Sequence, residues 1–146
     1  MFKFRLQTVL DCRTILEEKM QLRFSEAVRR LDEETRRLDI LDNEKCDLVG
    51  ILKSLQGNAT PVEDVSLLVR YIGDLQTREY RQREIIHEVG VEVEEKRKEL
   101  LESAQKRKIL EKLREKNLEE YNSHLTEQDR KAMDEMGIIR HGRVNP

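Results

Sequence analysis

The chain has 146 residues, of which 40% are charged, 4% are aromatic and none is tryptophan. Its 28 basic and 30 acidic residues leave a net charge of −2, so no overall field selects nucleic acid or an anionic membrane. Glu, Lys, Arg and Leu dominate while Gly and Pro are scarce, which excludes sheet-rich and disordered classes and leaves long helices or coiled coils.

The opening stretch MFKFRLQTVLD has neither the apolar run nor the small-residue cleavage site of a secretory signal, and a cytoplasmic location is expected. No segment approaches the roughly 18 apolar residues of a membrane-spanning helix. A first helix is expected over about 3–56. Counting from Leu6 with alternating steps of four and three gives Leu6, Leu10, Arg13, Glu17, Met20, Phe24, Ala27, Leu31, Glu34, Leu38, Leu41, Lys45, Leu48, Leu52 and Leu55. Eleven of these fifteen positions are apolar, so one narrow seam is predicted to be buried and the rest of the cylinder solvated. Cys12 and Cys46 fall on this helix about 50 Å apart at the helical rise, which rules out a disulfide between them if the helix is continuous.

The pattern breaks at LQGNATPVED (55–64). Gly57 suits a left-handed position just past a helix end. Thr60 followed by Pro61 and Glu63 makes a capping box with a proline start, so the chain is predicted to turn over 57–60 and begin a second helix at about 61. Two long amphipathic helices with so short a connection become antiparallel neighbours. Facing residues should then have numbers that sum to about 117.

The second helix, expected over about 61–136, carries the row Val65, Leu68, Ile72, Leu75, Glu79, Gln82, Ile86, Val89, Val93, Lys96, Leu100, Ser103, Arg107 and Leu110. Beyond Leu110 the face is held by Leu113, Leu118, Tyr121 and Leu125 only through a local change of phase. The sum rule leaves everything past about 115 without an intrachain partner. That overhang either folds back or projects; projecting, its Leu118, Tyr121, Leu125, Met133 and Met136 suit it to docking or insertion. Thr126 with Asp129 offers a second cap, Gly137 a stop, and 137–146 is expected as a flexible tail.

Charged residues interrupt the seams at Arg13, Glu17, Glu34, Lys45, Glu79 and Lys96. Long side chains can snorkel from the seam edges, or a partner can complete the core at these gaps. Stability of the isolated helix pair should be modest.

Several patterns resemble chemical sites. Glu84 and His87 form Glu-x-x-His, half of a carboxylate di-iron motif, but no second copy and no four-helix bundle accompany it, so His87 reads as a surface histidine. His124 and His141 lack zinc-ligand spacing. There is no phosphate loop, nucleophile elbow or Cys–His pair in a recognisable motif. Neither an enzyme activity, nor a metal, nor a cofactor is expected. The basic runs 96–98 and 105–108 are interleaved with Glu94, Glu95, Glu99, Glu102 and Glu111, the pattern of pairs on a solvated helix face and not of a nucleic-acid interface.

Four stretches in order, FKFRLQTVLDCR, LLVRYIGDL, VEVEEKRKELLESAQKRKILEKLREKNLEEY and EQDRKAMDEMGIIR, resemble the FliJ family of the bacterial flagellar type III export apparatus over nearly the whole chain. The resemblance implies an all-α fold: a long antiparallel two-helix coiled-coil hairpin with an overhanging helical C-terminal segment, similar to the stalk of rotary ATP synthases. It implies a non-enzymatic role within the hexameric flagellar export ATPase. There the chain would link the ring to the cytoplasmic domain of the membrane export gate protein and help recycle export chaperones. Its place would be cytoplasmic, peripheral to the inner membrane at the flagellar base, with no nucleic acid and no membrane insertion. By the same resemblance, the hairpin half nearest the turn, at Leu41, Leu48, Tyr71 and Leu75, would meet the gate. The paired termini, at Leu6, Leu10, Leu118, Tyr121 and Leu125, would enter the ring. Two other readings stay open: a stalk of a related virulence secretion system or rotary ATPase, and a homo-oligomeric coiled-coil scaffold.

Overall fold

A computed structural model describes residues 1–57 and 61–144, with the side chain of Val144 left aside. It contains α1 (Gln7–Leu55, 49 residues) and α2 (Val62–Val144, 83 residues). The contacts divide the chain into two compact units: Met1–Glu18 with Leu101–Pro146, and Lys19–Leu100.

In the first unit the side chain of Gln7 meets Arg114, and that of Glu17 meets Arg107. In the second, Arg30 meets Glu92 and Glu44 meets Tyr71. In both, rising numbers on α1 face falling numbers on α2, so the helices run antiparallel. Every position of the two seam rows, from Leu6 to Leu55 and from Val65 to Leu110, is buried or half-buried. A period near 3.5 keeps one stripe of each helix facing the other. Among the described residues, only Leu75 of the large side chains is wholly covered, at 0% exposure. Two helices shield each other from one side only, so most seam leucines recover only part of the roughly 1.5–3 kcal/mol of a fully buried side chain.

Of the charged interruptions of the seam, Glu17, Glu34, Lys45 and Glu79 are answered across it, while Lys96 pairs with Glu99 on its own helix at 3.5 Å. Glu79 and Gln82, consecutive row positions on α2, are 2% and 8% exposed. Lys45 Nζ donates to Glu79 Oε2 at 2.9 Å, and Gln82 Nε2 donates to the Glu34 carbonyl at 2.9 Å and to Glu34 Oε2 at 2.6 Å. Arg37 Nη1 adds a bond to Glu34 Oε1 at 3.1 Å. The hydrogen bond from Lys45 to Glu79 raises the lysine pKa and outweighs desolvation. Arg107 pairs with Glu17 and, at 2.7 Å, with Glu111. These bonds satisfy most of the buried polar groups; the Glu79 Oε1 and Ser103 Oγ atoms are buried without a partner.

The helix ends depart from the sequence expectations. The first helix begins at Gln7 and not near residue 3, with Gln7 N–H bonded to the Phe4 carbonyl at 3.1 Å. No described glycine has a positive φ, so Gly57 does not take the left-handed conformation; the Gln56 N–H bonds instead to the Lys53 carbonyl, tightening the last turn. The expected cap Thr60 and the turn positions 58–60 lie outside the described residues. The Pro61 carbonyl accepts from Asp64 N–H at 3.1 Å and Val65 N–H at 3.3 Å, opening α2, whose first turn carries Glu63 and Asp64. Acidic residues there complement the positive end of the helix dipole.

At the other end α2 continues through Gly137 to Val144. Gly137 does not stop it, because one glycine costs a helix only about 1 kcal/mol and needs a competing turn geometry to end it. Thr126 is not a cap: its hydroxyl donates to the Asn122 carbonyl at 2.9 Å within the helix. Asn117 and Tyr121 stand on the unbroken continuation of the row from Leu110 and are half-buried, while Leu113 is 37% exposed. Arg114, the next position of that row, is exposed, and Leu118, off the row, is half-buried, so the single row loosens beyond Leu110.

Two substitutions test these energetics. An added Cβ at Gly50 or Gly90 meets nothing within 4 Å, and both glycines lie inside helices. Gly50→Ala and Gly90→Ala should each stabilise the protein by about 0.5–1 kcal/mol, read as a rise in urea midpoint. Lys45→Leu should lower that midpoint by stranding the buried Glu79 carboxylate. Adding Glu79→Leu should restore it to the wild-type value or above, since an apolar pair needs no compensation for lost hydration.

Candidate partner-binding surfaces

Within Lys19–Leu100, the four residues assigned to the gate surface divide by exposure. Leu41 and Leu48 are half-buried seam residues. Leu75 has no exposed surface, so it packs the helix pair and presents nothing to a partner while the pair is intact. Tyr71 is 39% exposed, and its Oη donates to Glu44 Oε1 at 2.6 Å. The bond and the charge of Glu44 both favour the neutral phenol, so the Tyr71 pKa is raised.

Around Tyr71, the side chains of Asp64, Leu67, Leu68, Arg70 and Asp74 line an open depression of about 450 Å³. Leu67 is 67% exposed, and Val62 and Val69 are also exposed. These off-seam apolar residues were missed in the sequence, where attention to the seam row selected Leu68 and Leu75. The available signal was the row itself: an apolar residue one step off a filled seam must face outward.

The remaining chemistry-like residues do not assemble. His87 is exposed, on a surface with Tyr80, Arg83, Glu84 and Glu88. Among the described residues no group of three or more His, Cys, Asp or Glu could hold a metal ion. Cys12 and Cys46 are free and exposed. No described helix is long and apolar enough to cross a membrane.

Within the unit of Met1–Glu18 and Leu101–Pro146, the N-terminal residues reach further along α2 than the sum rule allows. Phe2 packs on Tyr121 with ring centroids 5.6 Å apart, and the Arg114 guanidinium lies over the Phe2 ring at 5.9 Å. The overhang therefore begins after Tyr121 and not after residue 115. The offset is not peculiar to the N-terminal residues: the helical pairs Glu17 with Arg107 and Lys45 with Glu79 each sum to 124, so in both units facing numbers reach above the expected 117. Arg114 Nε also donates to Gln7 Oε1 at 3.1 Å, and Gln7 Nε2 donates to Asp11 Oδ1 at 2.9 Å.

Of the five residues assigned to the ring surface, Leu10 is 7% exposed, Leu6, Leu118 and Tyr121 are half-buried, and Leu125 is 39% exposed. Leu6 and Leu10 are thus largely occupied in packing. From Asn122 to Arg143 every residue is exposed. This run includes Met133, Met136, Ile138 and Ile139, each more than half exposed. Leu118, Leu125, Ala132 and Ile139 recur at intervals of seven, the spacing of a coiled-coil stripe. Arg107 is held cationic, its pKa raised first by the hydrogen bond to Glu17 and then by that to Glu111.

The family model described as "Flagellar FliJ protein" matches residues 2–145 of the chain. No curated protein matches the sequence significantly. Among solved structures, the chain is similar to CT670 from Chlamydia trachomatis, proposed as a YscO homologue. The TM-score is 0.55 at 19% identity, over 97% of this chain and 96% of that one. At that identity the likeness is one of fold.

A titration checks the Tyr71–Glu44 bond. The neutral phenol is favoured in the folded state, so the contribution of this bond is fully present below the ordinary tyrosine pKa and is lost as pH rises through the raised value. In ring-labelled NMR spectra Tyr71 should ionise above the ordinary tyrosine range, and Glu44→Gln should bring it down towards that range.

Proposed function

Because the chain belongs to the FliJ family, and so to the components of the flagellar type III export apparatus, we propose that it acts there as a non-catalytic stalk of the export ATPase. The observation that carries this reading is the exposed run of α2 beyond Tyr121. It is a helix with an apolar stripe, exposed at every residue from Asn122 to Arg143, and it leads directly out of the packed pair of termini. Such a helix is suited to insertion between the subunits of a ring. In this reading Leu118, Tyr121 and Leu125 enter the hexamer, with Leu6 and Leu10 holding the pair behind them.

The second unit supplies the contact with the cytoplasmic domain of the export gate protein. Tyr71 and Leu67 present the apolar surface, Leu41 and Leu48 line the seam beneath it, and Leu75 supports it from inside. The mixed-sign surface suits weak, adjustable contacts, including those with export chaperones awaiting recycling. The chain works at the cytoplasmic face of the inner membrane, held there by its partners.

The experiment is the rate of ATP hydrolysis and the extent of ring assembly of the flagellar export ATPase from the same organism. The intact chain is compared with one truncated after Tyr121, which keeps the Phe2 contact. The intact chain should stimulate both and the truncated chain should not. Equal stimulation by the two would show that the exposed run is dispensable. No effect from either, with tight self-association of the chain, would replace the stalk by a homo-oligomeric scaffold.

A further inference from the structure

We propose that the N-terminal residues form a releasable strap, with Phe2 as its tip and Phe4 as its anchor, and that engagement of the ring lifts the tip from α2. The proposal rests on the ring reading above and adds a regulated step to it.

The two phenylalanines are held differently. Phe4 is buried at 8% exposure, and its carbonyl accepts the N–H of Gln7 at the start of α1. Phe2 is half-buried on the outside of α2, between the Tyr121 ring at 5.6 Å and the Arg114 guanidinium at 5.9 Å. Met1 is fully exposed, so the tip ends in solvent. An aromatic pair and a solvated cation–π contact are each weak. The tip can therefore leave while Phe4 and the seam at Leu10 stay packed.

Its position makes that departure consequential. Tyr121 is where the covered part of α2 meets the wholly exposed run from Asn122 to Arg143. An apolar ring surface that follows the stripe from Ile139 through Ala132 and Leu125 next meets Tyr121, and finds Phe2 already on it. Full engagement requires the Tyr121 ring, and the same ring cannot stack on both. The strap thus competes with the outermost turn of the docking stripe and lowers affinity until the partner displaces it. Arg114 keeps its bond to Gln7 in either state, so lifting the tip strands no buried charge.

The test uses the full-length chain and the ring-forming export ATPase with a non-hydrolysable nucleotide. Phe2→Ala removes the tip and should bind the ring about three- to tenfold more tightly, equivalent to about 0.6–1.4 kcal/mol. Phe2→Trp strengthens the clasp on Arg114 and introduces the only indole into a chain without tryptophan. In the free protein that indole should be shielded from iodide quenching; on ring binding its emission should shift to the red and quenching should rise. Unchanged or weaker binding of Phe2→Ala, where the wild type binds, would overturn the strap and make Phe2 a part of the interface. So would an indole as open to iodide in the free chain as a free indole. Failure of the wild type to bind would remove the ring reading and the ring's part in lifting the tip, while the quenching of the free chain still decides whether the strap is closed.

Discussion

Each helix carries a single narrow apolar stripe, and that stripe can be covered only by another of the same kind. The remaining surface is mostly charged, with exposed apolar residues such as Leu67 and Met133 set into it. In both units the consequence is the same: seam positions turn inward, and among the described residues no further layer of structure lies over them. A fold built this way has little core to lose. It is suited to work that depends on long surfaces, not on an enclosed site.

The polar interruptions of the seam follow from the same constraint. A Glu at a seam position cannot retreat into a deep interior, because none exists, nor can it be ignored where its neighbours are leucines. Glu79 and Gln82 are therefore met by Lys45 and Glu34 from the facing helix. A slip in register would separate these partners while leaving leucine opposite leucine. The apolar contacts supply most of the attraction and the polar ones specify the alignment, a division known from coiled coils with one buried polar residue.

Membership of the FliJ family places the chain in the flagellar export apparatus, and the molecule offers surfaces suited to that setting. One unit presents Tyr71, braced by Glu44, beside exposed Leu67 and a shallow depression. The other presents a helix whose stripe continues after its partner ends. The likeness in fold to the chlamydial protein, at 19% identity, accords with a fold specified by spacing more than by particular residues. Many sequences can place leucine at intervals of four and three.

The spacing of apolar residues by itself determined the two helices and the seam, because a 3.5-residue period is a local property that survives without knowledge of any contact, and the break at 55–64 determined their antiparallel pairing. The spacing also carried the burial of Leu75, which belongs to the row. What it could not determine was anything that depends on how far a side chain reaches or on the register of the facing helices. The pairing of Lys45 with Glu79 and of Arg107 with Glu17 and the continuation of α2 through Gly137 lie beyond periodicity. So does the contact of Phe2 with Tyr121, which moved the start of the exposed run. Those were decided by the tertiary structure, where the register of the facing helices and the reach of long side chains set contacts that a count of helical positions does not measure.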